Sequence, residues 1–441
     1  MIAAALLGWV TLAVDPAPCG AGPMLAASAL QEPAPGALDA LWSLLSPRAD
    51  QTAFDEAALV RSIVLLGPVA ARPALAIHLG LAEEPEPAHE VDPRALAARP
   101  RILLAALAGL PRASVLAAVD DALAGSDDVD RRLDLCRILG RLGGEAALER
   151  VLATAALLEP IQWERTFVQV PLQEALATLA VADPALGARI APRVRTAPPP
   201  LAMILVRALA DAGAAEAASE IARGLGRDAR LDLCVVETLT VLGARAAGSL
   251  PPPVLALLRR QLEARDERLV RATSSALARL GDAESAEPLA RLLDARSADV
   301  RNAAQAALKL LTAASLPPER AAWEEWLESE RRWAAERLPE IAAELAEPDA
   351  AALATLIAEL AAHRLHRHQA ALTLAVALGA EDPAIATLVC AALPRFGSRA
   401  VVPALLAHAQ DESSPVQAAA EATLRALEGP PRSASPPSAG S

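Results

Sequence analysis

The sequence predicts an all-α protein, a right-handed αα superhelix of about nine to eleven stacked helical hairpins. Three observations carry this expectation. A glycine or small substitute recurs where an alanine-leucine helix ends, at Gly67, Gly109, Gly143, Ala180, Gly213, Gly243, Gly281 and Thr312, with gaps of 30 to 42 residues. A period of that length marks one supersecondary unit repeated along the chain, each copy burying its apolar face on its neighbours. The composition agrees: 54% of the residues are hydrophobic, yet aromatics reach only 2% and tyrosine is absent. Alanine and leucine must therefore fill the interior, which suits close helix-on-helix packing. Valine and isoleucine are scattered rather than alternating, so no strand pattern emerges.

The elements follow in order. Residues 2–14 form an uncharged apolar stretch too short to span a bilayer. The stretch has the length of a signal-peptide core, and Ala27-Ser28-Ala29 offers a small-x-small cleavage site. Residues 1–30 are thus expected to be a removed leader, and the protein to be exported to the periplasm or cell envelope. A first capping segment on a cytoplasmic chain is the alternative. Residues 31–37, with Pro33, Pro35 and Gly36, read as a linker; residues 38–313 as the repeat array; and residues 314–349 as a tryptophan-rich helical insert. Residues 350–428 resume the repeats, and the Pro/Ser-rich stretch 429–441 reads as a disordered tail. No segment after the leader has the 18 or so uncharged apolar residues of a stable membrane span.

The clearest unit runs from Arg268 to Thr312. Leu269-Val270-Arg271-Ala272 and Ala276-Leu277-Ala278-Arg279-Leu280 lead to Gly281-Asp282, and a second helix follows from Ala286 with Pro288 in its first turn. Glycine can end a helix in the left-handed conformation at no steric cost, and proline is tolerated in a first turn. The next unit opens with Asp299-Val300-Arg301. Similar pieces occur at Asp130-Arg131-Arg132 with Leu142-Gly143-Gly144, and at Phe396-Gly397 followed by Val416-Gln417-Ala418. These residues resemble HEAT-type repeats, the helical-hairpin solenoid family. Gln417 stands where that family has arginine, which is expected to remove one inter-repeat polar contact.

The resemblance implies a non-enzymatic scaffold that binds a protein or peptide along the concave face of a solenoid. Two alternatives stay open: a HEAT-like enzyme, of the bilin-lyase or DNA-glycosylase kind, or a purely structural spacer. The tryptophan-rich insert also resembles a segment in exported HEAT-repeat proteins of planctomycete-like bacteria, which implies a lineage and a location but no activity.

Charge and motifs narrow the partners. The formal charge of −13 argues against nucleic acid, whose binding depends on neutralising phosphates. No nucleophile elbow, phosphate-binding loop or His-Glu-x-x-His pattern is present, so no catalytic residue is expected. No cofactor is expected either. The four cysteines are too widely separated for a metal pairing. Cys136 and Cys234 close the duplicated pentapeptide Arg-Leu-Asp-Leu-Cys, 98 residues apart, and read as one repeated core position.

Two clusters remain as partner-binding candidates. Trp323, Trp326 and Trp333 are spaced to share one helical stripe, with glutamates and arginines on the other faces. They could grip a partner, or clamp the insert onto its own array. The stretch from His363 to His368 holds half the histidines of the chain. With no carboxylate nearby in sequence and with Arg364 and Arg367 to repel a cation, no metal is expected there. His363, Arg364 and Arg367 read instead as the best contact for an anionic group.

Overall fold

The computed structural model describes residues 36–47, 54–86, 89–158, 165–245, 250–347, 349–410 and 416–428. The expected leader, most of the linker and the tail lie outside these residues, as does Cys19. Among the described residues every regular element is a helix and none is a strand. The chain divides between Ala212 and Gly213 into two compact units.

From Pro93 to Ala222 and from Ala229 to Thr312 a longer helix alternates with a shorter one. In the first unit the helix Val129–Leu142 packs on Thr166–Ala182, which packs in turn on Pro199–Ala212. In the second, Ala229–Arg245, Glu267–Leu280 and Ala298–Thr312 pack consecutively in the same way. The shorter partners, such as Pro252–Arg260 and Ala286–Arg291, tighten into 3-10 turns at their C-terminal ends. This is repeat-like packing of consecutive helices.

Aspartate starts many of the long helices. Asp55, Asp92, Asp128, Asp228, Asp266, Asp349 and Asp382 each accept a hydrogen bond from a backbone N–H two or three residues on, at 2.8–3.1 Å. Each such cap satisfies a donor the helix cannot, at roughly 1 kcal/mol. Arginine then secures the loop before the helix. Arg132 Nε donates to the Ser126 carbonyl at 3.0 Å, and Arg301 Nη1 donates to those of Ala295 and Arg296. Gln417 bonds elsewhere, its Nε2 donating to the carbonyl of Ala409 in the last turn of the helix Val402–Gln410 at 3.2 Å.

The glycine period has two physical causes rather than one. Gly281 ends its helix with φ 71°, in the left-handed region, as expected. Gly109, Ala180, Gly243 and Thr312, however, lie inside the last turn of their helices, not beyond it. At Gly109 and Gly243 small size serves close approach, to Val64 and to Leu280 and Leu250. Gly140, off the period, shows it against backbone: a Cβ there would lie 2.9 Å from Cα and 3.1 Å from the carbonyl oxygen of Ala175 on the neighbouring long helix. Cys136 and Cys234 are buried on their long helices, and burial pushes the Cys136 thiol up to about 12.

Two outcomes follow. Gly140→Ala will destabilise the first unit by about 1–3 kcal/mol, because the added methyl overpacks the backbone contact and outweighs alanine's better helix propensity; denaturant melts measure it. Asp282, 6% exposed and 3.1 Å from Arg259, has its carboxyl pushed up to about 6 by burial despite that arginine. Its folded value thus exceeds its unfolded one, so its contribution favours the fold at low pH and is lost as pH rises from about 4 through 6. Wild-type stability relative to Asp282→Asn will fall across that window; an unchanged difference would contradict it.

Candidate functional site

The insert forms one helix, Arg320–Glu344, within the second unit. Its sequence is polar overall, so tertiary contacts must hold it. Arg331 pairs with Glu287 of the helix Ala286–Arg291, and Arg320 bridges Asp294 at 3.4 Å and Glu324 at 2.7 Å. Its buried face is the row Trp323, Leu327, Glu330, Leu338 and Ile341.

The three tryptophans do not share a fate. Trp323 is fully buried and its Nε1 donates to the Pro317 carbonyl at 3.0 Å, so the proline-rich approach folds back over it. No partner can reach it. Trp326 is half-buried and meets the Trp323 ring edge-on, with centroids 5.9 Å apart. Trp333 is also half-buried, but stacks flat on His363 at 3.6 Å with an 11° interplanar angle. The cause is angular: at 100° per residue, positions 326 and 333 lie close together while 323 sits well to one side.

The structure therefore brings the two candidate clusters together. His363 closes the helix Ala350–Ala362, and residues 364–366 form a short turn against the tryptophan helix. The side chain that joins them is Glu330, 5% exposed. His363 Nδ1 lies 2.9 Å from Glu330 Oε1, and His366 Nε2 lies 4.0 Å from Oε2. Both Glu330 Oε2 and His366 Nε2 are buried without a hydrogen-bond partner. Glutamate was expected only on the outer faces of this helix. Glu330 instead occupies an apolar-stripe position, seven residues after Trp323 and three after Leu327, and that spacing is the signal that could have found it.

A second polar chain braces the same helix. Arg337 grips Glu359 with Nε and Nη2 at 2.9 and 3.1 Å, and also reaches Glu344 at 2.7 Å. These bonds raise the guanidinium above its ordinary range, and the bond from Arg337 holds the Glu359 carboxyl below its own. Burial lowers the imidazoles of His366 and His368. His368 Nδ1 lies 2.9 Å from the fully buried Ser398 Oγ.

Arg364 is exposed, whereas Arg367 is half-buried and spans 87 residues of chain to donate to the Leu280 carbonyl at 3.4 Å. It lies across Gly281, where a Cβ would collide with its guanidinium. A cation at a helix C-terminus is favoured by the exposed carbonyls and the macrodipole, so Arg367 is a staple between the helix Glu267–Leu280 and the segment after the insert. Burial lowers its basicity, with Arg364 adding repulsion.

Among the described residues, no three His, Cys, Asp or Glu side chains are grouped to hold a metal ion, and no single helix is long and apolar enough to cross a membrane. No family model matches the chain, and no curated protein matches it in sequence.

The Arg367–Gly281 contact gives a double-mutant test. Gly281→Ala will cost about 1–2 kcal/mol from its left-handed backbone alone, and more from the collision. Combining it with Arg367→Ala relieves the collision, so the two losses will be non-additive by about 0.5–3 kcal/mol. Strict additivity in denaturant melts would contradict the staple.

Proposed function

We propose that this chain is a binding scaffold, a HEAT-like right-handed solenoid whose concave face takes a protein or peptide in the cell envelope. The observation that carries the reading is the repeat-like packing of long helices through small residues, tied by polar rungs. Arg150 grips Asp120 in a fork at 2.7 and 2.6 Å, Arg193 reaches Glu149 at 2.6 Å, and Arg271 reaches Asp299 at 3.3 Å. Each rung is individually weak, since exposed pairs contribute about 0–1 kcal/mol. Their repetition favours a firm, extended surface, and such surfaces recognise partners by shape over several repeats.

Within that reading the partner meets Trp326, the open edge of Trp333, and Arg364. Tryptophan and arginine supply most of the strong contacts at interfaces, and Arg364, exposed and with no ion pair among the described residues, suits an acidic group on the partner. Trp323, His363 and Arg367 support this surface from behind. The apolar leader suits export.

The test is cross-linking capture from envelope fractions with the full chain and with Trp326→Ala/Arg364→Ala, whose helical signal should match wild type. A partner captured by wild type and lost from the variant supports the surface. Identical captured sets for the two forms would remove it. N-terminal sequencing of the same material should start after Ala29; an intact leader would overturn the export reading.

A further inference from the structure

The helices Val402–Gln410 and Gln417–Glu428 pack against each other and leave a groove of about 310 Å³ beside the start of the first and the end of the second. Its walls are Val402 and Pro403 on one side and Leu424 and Leu427 on the other, and Arg399 is its one charged lining residue. The fold holds each of them there. Thr423 is buried and donates to the Cys390 carbonyl at 2.8 Å, which seats the second helix and leaves Leu424 and Leu427 half-buried at its edge. Ser398 is fully buried, and its Oγ accepts the Ala400 N–H at 3.3 Å, which fixes the short turn Arg399–Val401. From that turn Arg399 reaches across to the other wall, its Nη2 donating to the Leu427 carbonyl at 3.3 Å.

This guanidinium is poorly compensated. Among the described residues it makes that one long hydrogen bond and no ion pair, and its Nε is buried without a partner. Other arginines of the fold are matched: Arg150 with Asp120, Arg193 with Glu149, Arg337 with Glu359. A half-buried cation beside apolar walls has lost part of its water, so an anion brought to it is held more firmly than at an open surface. One arginine answers one negative charge, and its planar edge suits a carboxylate. The walls select the rest of the ligand. Four aliphatic side chains offer nothing to hydroxyls or amides, and a strongly hydrated dianion would lose more water than one arginine replaces. At ~30 Å³ for a water-sized group, the groove has room for roughly ten heavy atoms.

We propose that this groove binds an aliphatic monocarboxylate of roughly six to ten carbons, with the carboxylate on Arg399 and the chain along Val402, Pro403, Leu424 and Leu427. The site lies apart from the tryptophan surface and does not depend on the scaffold reading. Its affinity has two sources that an experiment can separate. The charge contribution belongs to Arg399 and needs an ionised head group. The apolar contribution belongs to the four walls and grows by about 2–4-fold for each added methylene.

Methyl-resolved NMR of the full chain at pH 7.5, titrated separately with sodium octanoate, sodium butyrate and 1-octanol, tests this. Octanoate should give saturable shifts centred on the methyls of Val402, Leu424 and Leu427. Butyrate should bind at least ~16-fold more weakly, and 1-octanol, which keeps the chain but lacks the charge, about 10-fold or more weakly. Arg399→Gln should bring octanoate down to the level of 1-octanol while leaving 1-octanol itself unchanged. Three results would overturn the proposal: equal binding of octanoate and 1-octanol, equal binding of octanoate and butyrate, or no saturable shift at these methyls. The last would also be the outcome if residues 429–441 or a second copy of the chain already filled the groove. The wild-type comparison of the three compounds stands even if the variant folds poorly.

Discussion

The contact on which each unit depends is the close approach of one long helix to the next, made possible where a small residue leaves room for the neighbouring backbone. Gly140 against Ala175 is the instance in which the neighbour met is backbone. A larger side chain there would move one helix relative to the other, and every helix beyond it in the unit would inherit the shift. Leucines on either side, such as Leu139, Leu172, Leu176 and Leu179, are almost completely buried and fill what the small residues leave open. Polar rungs and aspartate caps then fix register and ends, at about 1 kcal/mol or less each. Leucine and alanine supply the cohesion, and the small residues supply the geometry that lets them meet.

The tryptophan helix is held differently. It enters between repeats with a polar sequence, and its apolar stripe is interrupted by Glu330. A carboxylate buried on such a stripe must find donors or else stay protonated at a cost. His363 supplies one donor, and the stack of Trp333 on its ring fixes that imidazole in place. Arg367, reaching back to the end of the helix Glu267–Leu280, closes the chain around the insert. An arginine sharing a staple with a left-handed glycine constrains both residues, and neither can be read alone.

Much of this was legible in the residues. The glycine period marked the repeating unit, Leu280-Gly281-Asp282 marked a true helix end, and the expected insert at 314–349 encloses the helix Arg320–Glu344. What was not legible depends on partners distant in sequence. Glu330 meets His363 across 33 residues, and no local pattern reveals which carboxylate will complete a histidine cluster. Gly109 and Gly243 obey the period for packing rather than for turning, a distinction that only the neighbouring helix decides. The spacing of the tryptophans suggested one shared stripe, but 3.6 residues per turn sends Trp323 inward and leaves the other two at the edge.

The central claim is that cohesion within a unit passes from neighbour to neighbour. Leu277 is fully buried in the helix Glu267–Leu280, which packs on both Ala229–Arg245 and Ala298–Thr312. Site-resolved hydrogen exchange of Leu277→Ala tests the claim directly. It should lose protection in those three helices while Val402–Gln410 and Gln417–Glu428 keep theirs. Equal loss of protection across all helices from Ala218 to Glu428 would contradict it, and would mean that the second unit has one undivided core.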